Sequence, residues 1–356
     1  MKVVLVRTNI PSDVRAQNSS LKVILGLKKR NIISECEAWK FSNGTTDEAS
    51  ANAPLPIKVF SYNENLTSEE LAQYIHTVGQ PDILWVDGRD YPPHLRQIME
   101  LCPESAKVIY AKNGRPWKIK NLEQYDLCLV DEEWQLQNVK KRHPTTNCFV
   151  WDKLIDHETT FRPIACEKIY DICYVAWMRE SKNHELLFRA MARLQDRNLT
   201  CVCVGGDRED DGTKPDRKLY REQLERVAAD LKLAVRFVGQ VSQEEVNRYI
   251  NQSKIGVMSS TLDTAPRALL EYMAAGAPVL LVQSEEVVGV RYVGAEAGLV
   301  RTPEEFHLGL AELLDNYQRY SPRDYFLRHF SFEQVMAKMK VILRQTGVLA
   351  EETSTA

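Results

Sequence analysis

The chain has 356 residues, of which 44% are hydrophobic and 27% are charged, and its formal net charge at pH 7 is -3. A chain of this length is expected to form more than one domain, since single domains typically hold about 100–200 residues. The near-neutral charge argues against a general nucleic-acid-binding protein, which would be clearly basic. The longest apolar runs, such as Val3–Val6, fall far short of the roughly 20 residues that span a bilayer, and no segment is typical of a secretory signal. We therefore expect a cytoplasmic protein that does not bind nucleic acid.

Short β-rich runs alternate with helical patterns along almost the whole chain. Near-continuous apolar strands separated by helices are typical of parallel sheets that are covered on both faces. The strands predicted in the first half are Val3–Val6, Ile57–Phe60, Ile83–Val86, Val108–Tyr110, Leu127–Val130 and Cys148–Trp151. Those predicted in the second half are Ile172–Val175, Thr200–Val204, Val235–Val238, Ile255–Met258 and Val279–Val282. The alternation predicts an α/β fold.

Four helix starts carry the capping-box pattern, in which a Ser or Thr is followed three residues later by Glu or Gln. The hydroxyl accepts a hydrogen bond from a free backbone N–H, and the Glu or Gln side chain reaches back to the cap. The four cap residues are Thr67, Ser242, Thr302 and Ser331. They predict helices directly after these positions, the last of them from about Phe332 to Arg344.

The elements divide into two α/β units in tandem. We predict a Rossmann-like domain over residues 1–163 and a second over residues 164–324. A C-terminal helical segment of about residues 325–346 is expected to pack back on the first domain. The polar residues 347–356 are expected to form a disordered tail. Because ligands of open parallel sheets bind outside the carboxyl ends of the strands, strand ends are the first places to look for a site.

Two strand ends in the second domain carry residues suited to phosphate and sugar. Arg179 and Lys182 follow the strand that ends at Val175 and precede a helix, whose first backbone N–H groups can bind an anion. Asp263 lies at the mouth of another helix, and Glu271 lies about two turns further on. A carboxylate can accept hydrogen bonds from sugar hydroxyls. The same residues are also compatible with a solvated charged loop and with an acid that complements a helix dipole, so both interpretations stay open at this point.

The stretch from Asp263 to Val279 resembles the nucleotide-sugar signature of GT-B glycosyltransferases, specifically the large retaining family four, or glycosyl transferases group 1. That signature reads Glu-x7-Glu followed by Gly-x-Pro-Val, and here it appears as Asp263, Glu271 and Gly276-Ala277-Pro278-Val279. Other segments resemble the family in the right order: the interdomain linker at 153–163, the phosphate loop at 174–182, the strand and glycine before the base loop at 235–239, and the later turn and strand at 292–300. Together they cover roughly residues 150–345, whereas residues 1–150 match only in their strand–helix pattern.

The resemblance implies two Rossmann-like parallel-sheet domains facing each other across a cleft, with the donor site in the second. It implies a hexosyltransferase-like enzyme that moves a sugar from a nucleoside-diphosphate sugar to an unidentified acceptor, with retention of anomeric configuration. GT-B enzymes do not rely on the metal-bound Asp-x-Asp motif of the other main transferase fold, and no such motif occurs here. We therefore expect no metal site, and no cofactor besides the donor substrate.

The resemblance also assigns roles within the donor site. It implies that Lys182 binds the donor diphosphate and that Asp263 contacts the transferred sugar, so these two are the residues expected at the reacting centre. It implies that Glu271 binds the ribose. The other residues expected at the donor are Arg179, Asn183, Gly239, Gln240, Val241, Thr264, Ala265, Pro266 and Arg267.

Two departures from the family pattern fall on this site. The usual glycine and arginine of the phosphate loop are Ala176 and Trp177, so one positive charge is absent from its place, and Arg179 is a candidate substitute. The first acid is Asp263 instead of glutamate, which is one methylene longer. These departures leave an alternative open: a catalytically degenerate GT-B module that binds a nucleotide, glycan or protein without transfer.

The first domain is expected to bind the acceptor, which is an unknown glycan, lipid or small molecule. The candidate residues follow predicted strands and are Asn9, Asp87, Arg89, Asp90, His94 and Asn113. His94, which follows two prolines, is favoured as a helix-start residue over a catalyst. Basic residues near Trp117 are compatible with peripheral membrane contact, although a solvated face is the favoured interpretation.

Overall fold

The computed structural model describes residues 1–7, 19–42, 54–88, 92–111, 115–206, 216–260, 267–283 and 289–350, with the backbone alone at 216–219. The chain divides into two compact units, one formed by residues 1–154 with 335–356 and the other by residues 155–334. The sequence analysis predicted the corresponding domain boundaries after residues 163 and 324. Val348 and Leu349, which lie in the tail that was predicted to be disordered from residue 347, are buried. Residues 351–356 lie outside the described residues.

The first unit contains a parallel sheet of seven strands. They are β1 (Lys2–Arg7), β2 (Glu35–Ser42), β3 (Ile57–Ser61), β4 (Ile83–Gly88), β5 (Ala106–Ala111), β6 (Leu127–Val130) and β7 (Cys148–Val150). The helices described between them are α1 (Ser19–Lys29), α2 (Glu69–Val78), α3 (Pro93–Leu101) and α4 (Glu133–Arg142). The strand order is β3-β2-β1-β4-β5-β6-β7.

Strand β2 is the element of this sheet that the sequence analysis missed. Its sequence alternates charged and apolar residues, which hides it from a search for continuous apolar runs. Glu37 in its middle is nevertheless buried, because the Trp39 indole N–H donates to its carboxylate at 2.8 Å and Lys2 Nζ lies 2.9 Å from it. A buried carboxylate is tolerated where it is paired and hydrogen-bonded in this way.

The second unit contains a parallel sheet of six strands. They are β8 (Tyr170–Val175), β9 (Thr200–Val204), β10 (Ala234–Val238), β11 (Ser253–Met258), β12 (Val279–Val282) and β13 (Gly298–Arg301). Its helices are α5 (His184–Ala192), α6 (Asp216–Asp230), α7 (Gln243–Asn251), α8 (Arg267–Ala274), α9 (Phe306–Asn316) and α10 (Pro322–Phe330), and α11 (Phe332–Gln345) follows. The strand order is β10-β9-β8-β11-β12-β13.

The predicted α/β class with two parallel sheets is confirmed. All strand pairs in both sheets are parallel. In each sheet the order runs outward from a central first strand and then reverses, so that β1 borders β4 and β8 borders β11. This reversal is the topological switch point of a Rossmann-like sheet, and crevices at its carboxyl edge are where such folds bind ligands.

The predicted helix starts have mixed outcomes. At Ser242 the capping box is confirmed, since its hydroxyl accepts from the Glu245 N–H at 3.2 Å and the Glu245 carboxylate accepts from the Ser242 N–H at 3.2 Å. At Thr67 the prediction is wrong by one residue, because the Asn63 amide donates to the Thr67 hydroxyl at 2.7 Å and Ser68 caps α2 instead.

The remaining two starts lie near the C-terminus. At Thr302 the predicted hydrogen bond is present, since its hydroxyl accepts from the Glu305 N–H at 3.4 Å, but residues 303–305 form a turn and α9 begins only at Phe306. At Ser331 the hydroxyl accepts from the Gln334 N–H at 3.4 Å and α11 begins directly after it. The same serine, in an extended conformation, divides the predicted segment of about 325–346 into two helices, α10 and α11.

Candidate functional site

The loop that follows β8 is joined to the end of β11 through the main chain of Lys182. The Lys182 carbonyl accepts hydrogen bonds from the hydroxyls of Tyr174 and Ser259, and Ser259 also donates to the Asn183 carbonyl at 2.8 Å. Tyr174 and Ser259 are both buried. The segment carrying Lys182 is therefore fixed at the point where the strand order of this sheet reverses.

The side chains of this loop differ in exposure. Lys182 is 7% exposed and ends a short 3-10 turn, whereas Arg179 at the start of that turn is exposed. Asn183 has a φ of 47° and connects the turn to α5. Asparagine tolerates this left-handed conformation better than most residues, which explains its presence between the turn and the helix.

His184 begins α5 and was not considered in the sequence analysis. It is fully buried, with its ring 4.6 Å from the Tyr174 ring and 6.0 Å from the Tyr220 ring. Neither ring nitrogen has a hydrogen-bond partner among the described residues. Burial, followed by the positive charge of Lys182, lowers the pKa of His184 to about 3, so this ring is neutral at physiological pH. The sequence shows that a histidine follows Asn183, but it does not show that the histidine ring is buried.

Helix α8 is pressed against β11 at a glycine. A Cβ atom at Gly256 would lie 2.3 Å from the Tyr272 ring, so no larger residue fits there. The Tyr272 hydroxyl accepts from the Val175 N–H at 2.6 Å and donates to the Val257 carbonyl at 3.3 Å, which joins α8 to the ends of both β8 and β11. Glu271, the preceding residue, has a side chain that is 11% exposed. The solvent-facing interpretation of Glu271 is therefore wrong.

Arg267 is the first residue of α8 and lies on the same side of the helix as Glu271. Its Nε is 3.9 Å from a Glu271 carboxylate oxygen, as expected for residues four apart on a helix. Arg267 therefore places a positive charge beside the buried carboxylate. The helix ends at Ala274, and the turn after it contains Gly276, whose φ of 86° favours glycine and which is the glycine of the Gly-x-Pro-Val motif.

A pair of glycines after β9 was missed by the sequence analysis. The Gly205 N–H donates to the Val238 carbonyl at 3.0 Å, and a Cβ atom at Gly205 would lie 1.9 Å from the Ala176 carbonyl oxygen. A Cβ atom at Gly206 would lie 3.0 Å from the Cβ of Gln240. The ends of β8, β9 and β10 therefore meet at these two glycines. A Gly-Gly pair directly after an apolar strand was the available signal, since it indicates close approach of another backbone.

The predicted base-bordering segment follows β10. Gly239 and Val241 are partly buried and Gln240 is exposed. The predicted residues Asp263, Thr264, Ala265 and Pro266 lie outside the described residues, between Ser260 and Arg267. The described part of the site thus brings together Lys182, Asn183 and the helix that carries Glu271.

On the first unit, two acceptor candidates are described. Asp87 is 2% exposed at the end of β4, where it is paired in register with Arg7 of β1 and Tyr110 of β5. His94 is fully buried in the first turn of α3, with its ring 4.9 Å from the Phe41 ring. Its packing agrees with a helix-start residue. The other candidates, Asn9, Arg89, Asp90 and Asn113, lie outside the described residues.

A buried charged cluster at the carboxyl edge of the first sheet was also missed. Lys153 forms an ion pair with Asp131 and donates to the Tyr110 hydroxyl, which in turn donates to Asp131 at 2.9 Å. The lysine and aspartate side chains are 3% and 4% exposed. Lys153 Nζ also lies 4.1 Å from the Tyr110 ring centroid. The three residues are more than 20 positions apart in sequence, and no local pattern joins them.

The described part of the chain holds no group of three or more His, Cys, Asp or Glu side chains that could bind a metal ion. None of its helices has the length and apolar character needed to cross a membrane.

A family model and several solved structures match this chain. Residues 157–324 match the family described as Glycosyl transferases group 1. A glycosyltransferase from Rickettsia africae has a TM-score of 0.73 at 14% identity, covering 98% of this chain and 99% of that one. HepE of Anabaena in complex with UDP has a TM-score of 0.72 at 13% identity, covering 97% and 100%. Sucrose-phosphate synthase from Thermosynechococcus elongatus has a TM-score of 0.71 at 15% identity, covering 97% and 98%.

At such low identity the structural matches establish the fold, which is that of GT-B glycosyltransferases. No curated protein sequence matches the chain at a significant level.

Proposed function

We propose that this chain, whose residues 157–324 match Glycosyl transferases group 1, is a glycosyltransferase that transfers a sugar from a nucleoside-diphosphate sugar to an acceptor with retention of anomeric configuration. One observation carries the proposal. Within the matched domain, the loop of Lys182 and the helix of Glu271 are joined at the switch point of the sheet by the hydroxyls of Tyr174, Ser259 and Tyr272. HepE, one of the structural neighbours, binds UDP, which supports a nucleoside-diphosphate donor.

In this proposal the buried Lys182 neutralises the donor diphosphate. The bond between the anomeric carbon and the diphosphate oxygen breaks, an acceptor oxygen forms the new bond to that carbon, and the acceptor's proton is released. Negative charge therefore accumulates on the leaving diphosphate, where a fixed ammonium group stabilises it more than in water. The N-terminus of α5, which follows Asn183, and the exposed Arg179 add positive potential to the same side.

The proposal gives the other predicted residues the following roles. Glu271 accepts hydrogen bonds from the ribose hydroxyls, and Asp263 contacts the transferred sugar. Backbone groups at 265–267 support the phosphates, and Gly239, Gln240 and Val241 border the base. The reaction is proposed to need no metal ion or further cofactor, to take place in the cytoplasm, and to use an acceptor bound by the first unit.

A thermal-shift series tests the donor site. The unchanged protein, Glu271→Ala and Lys182→Ala would each be titrated with UDP, ADP, GDP and their glucose conjugates. We expect one nucleotide series to raise the melting temperature of the unchanged protein, and we expect this rise to be lost in Glu271→Ala. Glu304→Ala, which removes an exposed carboxylate of the same domain, is the matched control and should respond like the unchanged protein.

A second measurement separates transfer from binding alone. Prolonged incubation with the stabilising nucleotide sugar should release free nucleoside diphosphate by slow hydrolysis. Donor binding without any hydrolysis or transfer would favour the catalytically degenerate module. Failure of every nucleotide and nucleotide sugar to stabilise the unchanged protein would refute the donor site itself.

A further inference from the structure

Trp177 stands out among the aromatic residues of this protein. Of the Phe, Tyr and Trp side chains in the described residues, it alone is exposed, with 41% of its surface accessible. A single exposed apolar residue is common on protein surfaces and has no meaning by itself. The position and support of Trp177 are what distinguish it.

The backbone on both sides of Trp177 is fixed. The Ala176 N–H donates to the Val204 carbonyl at 3.0 Å, and the Met178 N–H donates to the Gly206 carbonyl at 3.2 Å. The Met178 side chain is 1% exposed and anchors the loop in the core. The indole is therefore attached to a rigid backbone, so a ligand that contacts it need not order this loop.

Trp177 also lies on a particular side of the switch point. Its neighbour Ala176 is in close contact with Gly205, and Gly206 is in close contact with Gln240. Trp177 therefore lies on the side of β8 that faces the segment after β10. That segment is the one proposed to border the nucleobase, whereas the helix of Glu271 follows β11 on the opposite side of β8.

The chemistry of the substitution agrees with this position. Where the family pattern has an arginine, this chain has an indole, which carries no charge to neutralise phosphate. What an indole offers is a flat apolar face. Nucleobases stack on aromatic side chains because each base has a π-face, whatever its hydrogen-bonding edge.

We propose that Trp177 is a donor-binding residue on whose exposed indole the nucleobase of the nucleoside-diphosphate donor stacks. This inference rests on the proposed function and deepens it. Stacking depends on the ring and not on particular hydrogen bonds, so Trp177 contributes affinity for the donor and leaves the choice of base to other residues.

Calorimetric titration of Trp177→Ala and Trp177→Phe tests this inference. The ligands are UDP, ADP, GDP and inorganic pyrophosphate, and the control is Leu308→Ala, which removes a 57% exposed apolar side chain from α9 of the same unit. We expect Trp177→Ala to weaken binding of the preferred nucleoside diphosphate by about 10- to 100-fold, the range typical of losing one base-stacking residue. Pyrophosphate binding should not change. Trp177→Phe should stay within about 3-fold of the unchanged protein because it keeps an aromatic face.

Each other outcome overturns the inference in a recognisable way. Equal weakening of pyrophosphate would show that the side chain supports the phosphate loop. An unchanged affinity for UDP with weaker binding of UDP-glucose would place the indole against the sugar. Unchanged binding of all ligands would remove Trp177 from the site and leave the proposed function intact. If the unchanged protein binds no nucleotide, the proposed function fails together with the inference.

Discussion

The two sheets of this protein share the order of their first six strands but differ at their carboxyl edges. At the edge of the first sheet, Lys153 forms an almost completely buried ion pair with Asp131, and Asp131 also accepts a hydrogen bond from Tyr110. In the second sheet, Lys182 is held through its main chain, and Trp177, whose backbone lies beside Gly205, is exposed. At the first edge the lysine is paired inside a buried cluster. At the second edge a lysine and an exposed aromatic side chain both lie at the switch point.

The difference shows what a shared topology does and does not decide. The strand order determines where a crevice can form, since it fixes where neighbouring loops diverge. Whether that crevice binds a ligand depends on the side chains that follow each strand. We therefore expect substitutions at the first edge to affect mainly stability and those at the second to affect mainly donor binding and turnover.

The largest expected effect lies in the first unit. Lys153→Met should lower the free energy of unfolding by about 3–5 kcal/mol, because it leaves the buried Asp131 carboxylate without its ion-pair partner. Urea denaturation measures this loss. The double variant Lys153→Met with Asp131→Leu should be more stable than the sum of the single losses predicts, since the two residues interact directly. A Lys153→Met protein with unchanged stability but lost turnover would contradict the expectation that the first edge contributes mainly to stability.

At the second edge we expect an effect on rate. Lys182→Ala should reduce kcat about 100- to 1,000-fold, the range seen when a single group that stabilises transition-state charge is removed. Steady-state assays of transfer, or of donor hydrolysis, measure it. Lys232→Ala, which removes an exposed lysine of the same unit, should retain full turnover. If Lys182→Ala and Lys232→Ala turned out equally active, Lys182 would have no part in the chemistry.

The glycine pair permits a sharper comparison within one unit. Gly205→Ala should lower the free energy of unfolding by about 2 kcal/mol, because the new Cβ would collide with the Ala176 carbonyl oxygen and distort the backbone. It should also weaken nucleotide binding through the displaced loop. Gly239→Ala, where a Cβ atom would meet nothing within 4 Å, is the control for stability alone, because Gly239 is itself proposed to border the base, and its free energy of unfolding should be nearly unchanged. Equal stability of the two variants in urea would contradict the close approach of the loops.

The smallest effect is a pH dependence at His184. Its pKa is about 3 in the folded protein and 6.5 ordinarily, so between these values the unfolded chain binds the extra proton. The free energy of unfolding should therefore fall as the pH falls below about 6.5, by at most about 1.4 kcal/mol per pH unit from this group.

His184→Phe, which keeps an aromatic ring beside Tyr174, should remove this part of the pH dependence and be relatively more stable at pH 5. Urea denaturation at pH 7, 6 and 5 measures the difference. His76→Gln, at an exposed site on α2, should leave the pH dependence as it is. Identical slopes for His184→Phe and the unchanged protein would mean that His184 titrates alike in the folded and unfolded states, so that folding does not lower its pKa.

Much of this protein follows from its sequence alone. The apolar strands, the capping box at Ser242 and the α/β class depend on residues that are close in the chain, and local patterns therefore predicted them. The segment from Glu271 to Gly276 was recognised for the same reason, since its residues share one helix and its end. The cap predicted at Thr67 was wrong because the Thr67 hydroxyl accepts its hydrogen bond from the Asn63 amide instead of a helix N–H.

Other features required the tertiary structure. The Lys153–Asp131–Tyr110 cluster, the packing of Tyr272 on Gly256, and the contact of Gly205 with Ala176 each join residues from different strands or from a strand and a distant helix. Their meeting depends on which strands are neighbours and in what register, and no window of sequence contains that information. The sequence alone therefore determined two α/β units and a segment that resembles the nucleotide-sugar signature. The assembled sheets decided which charges are buried and at which positions only glycine fits.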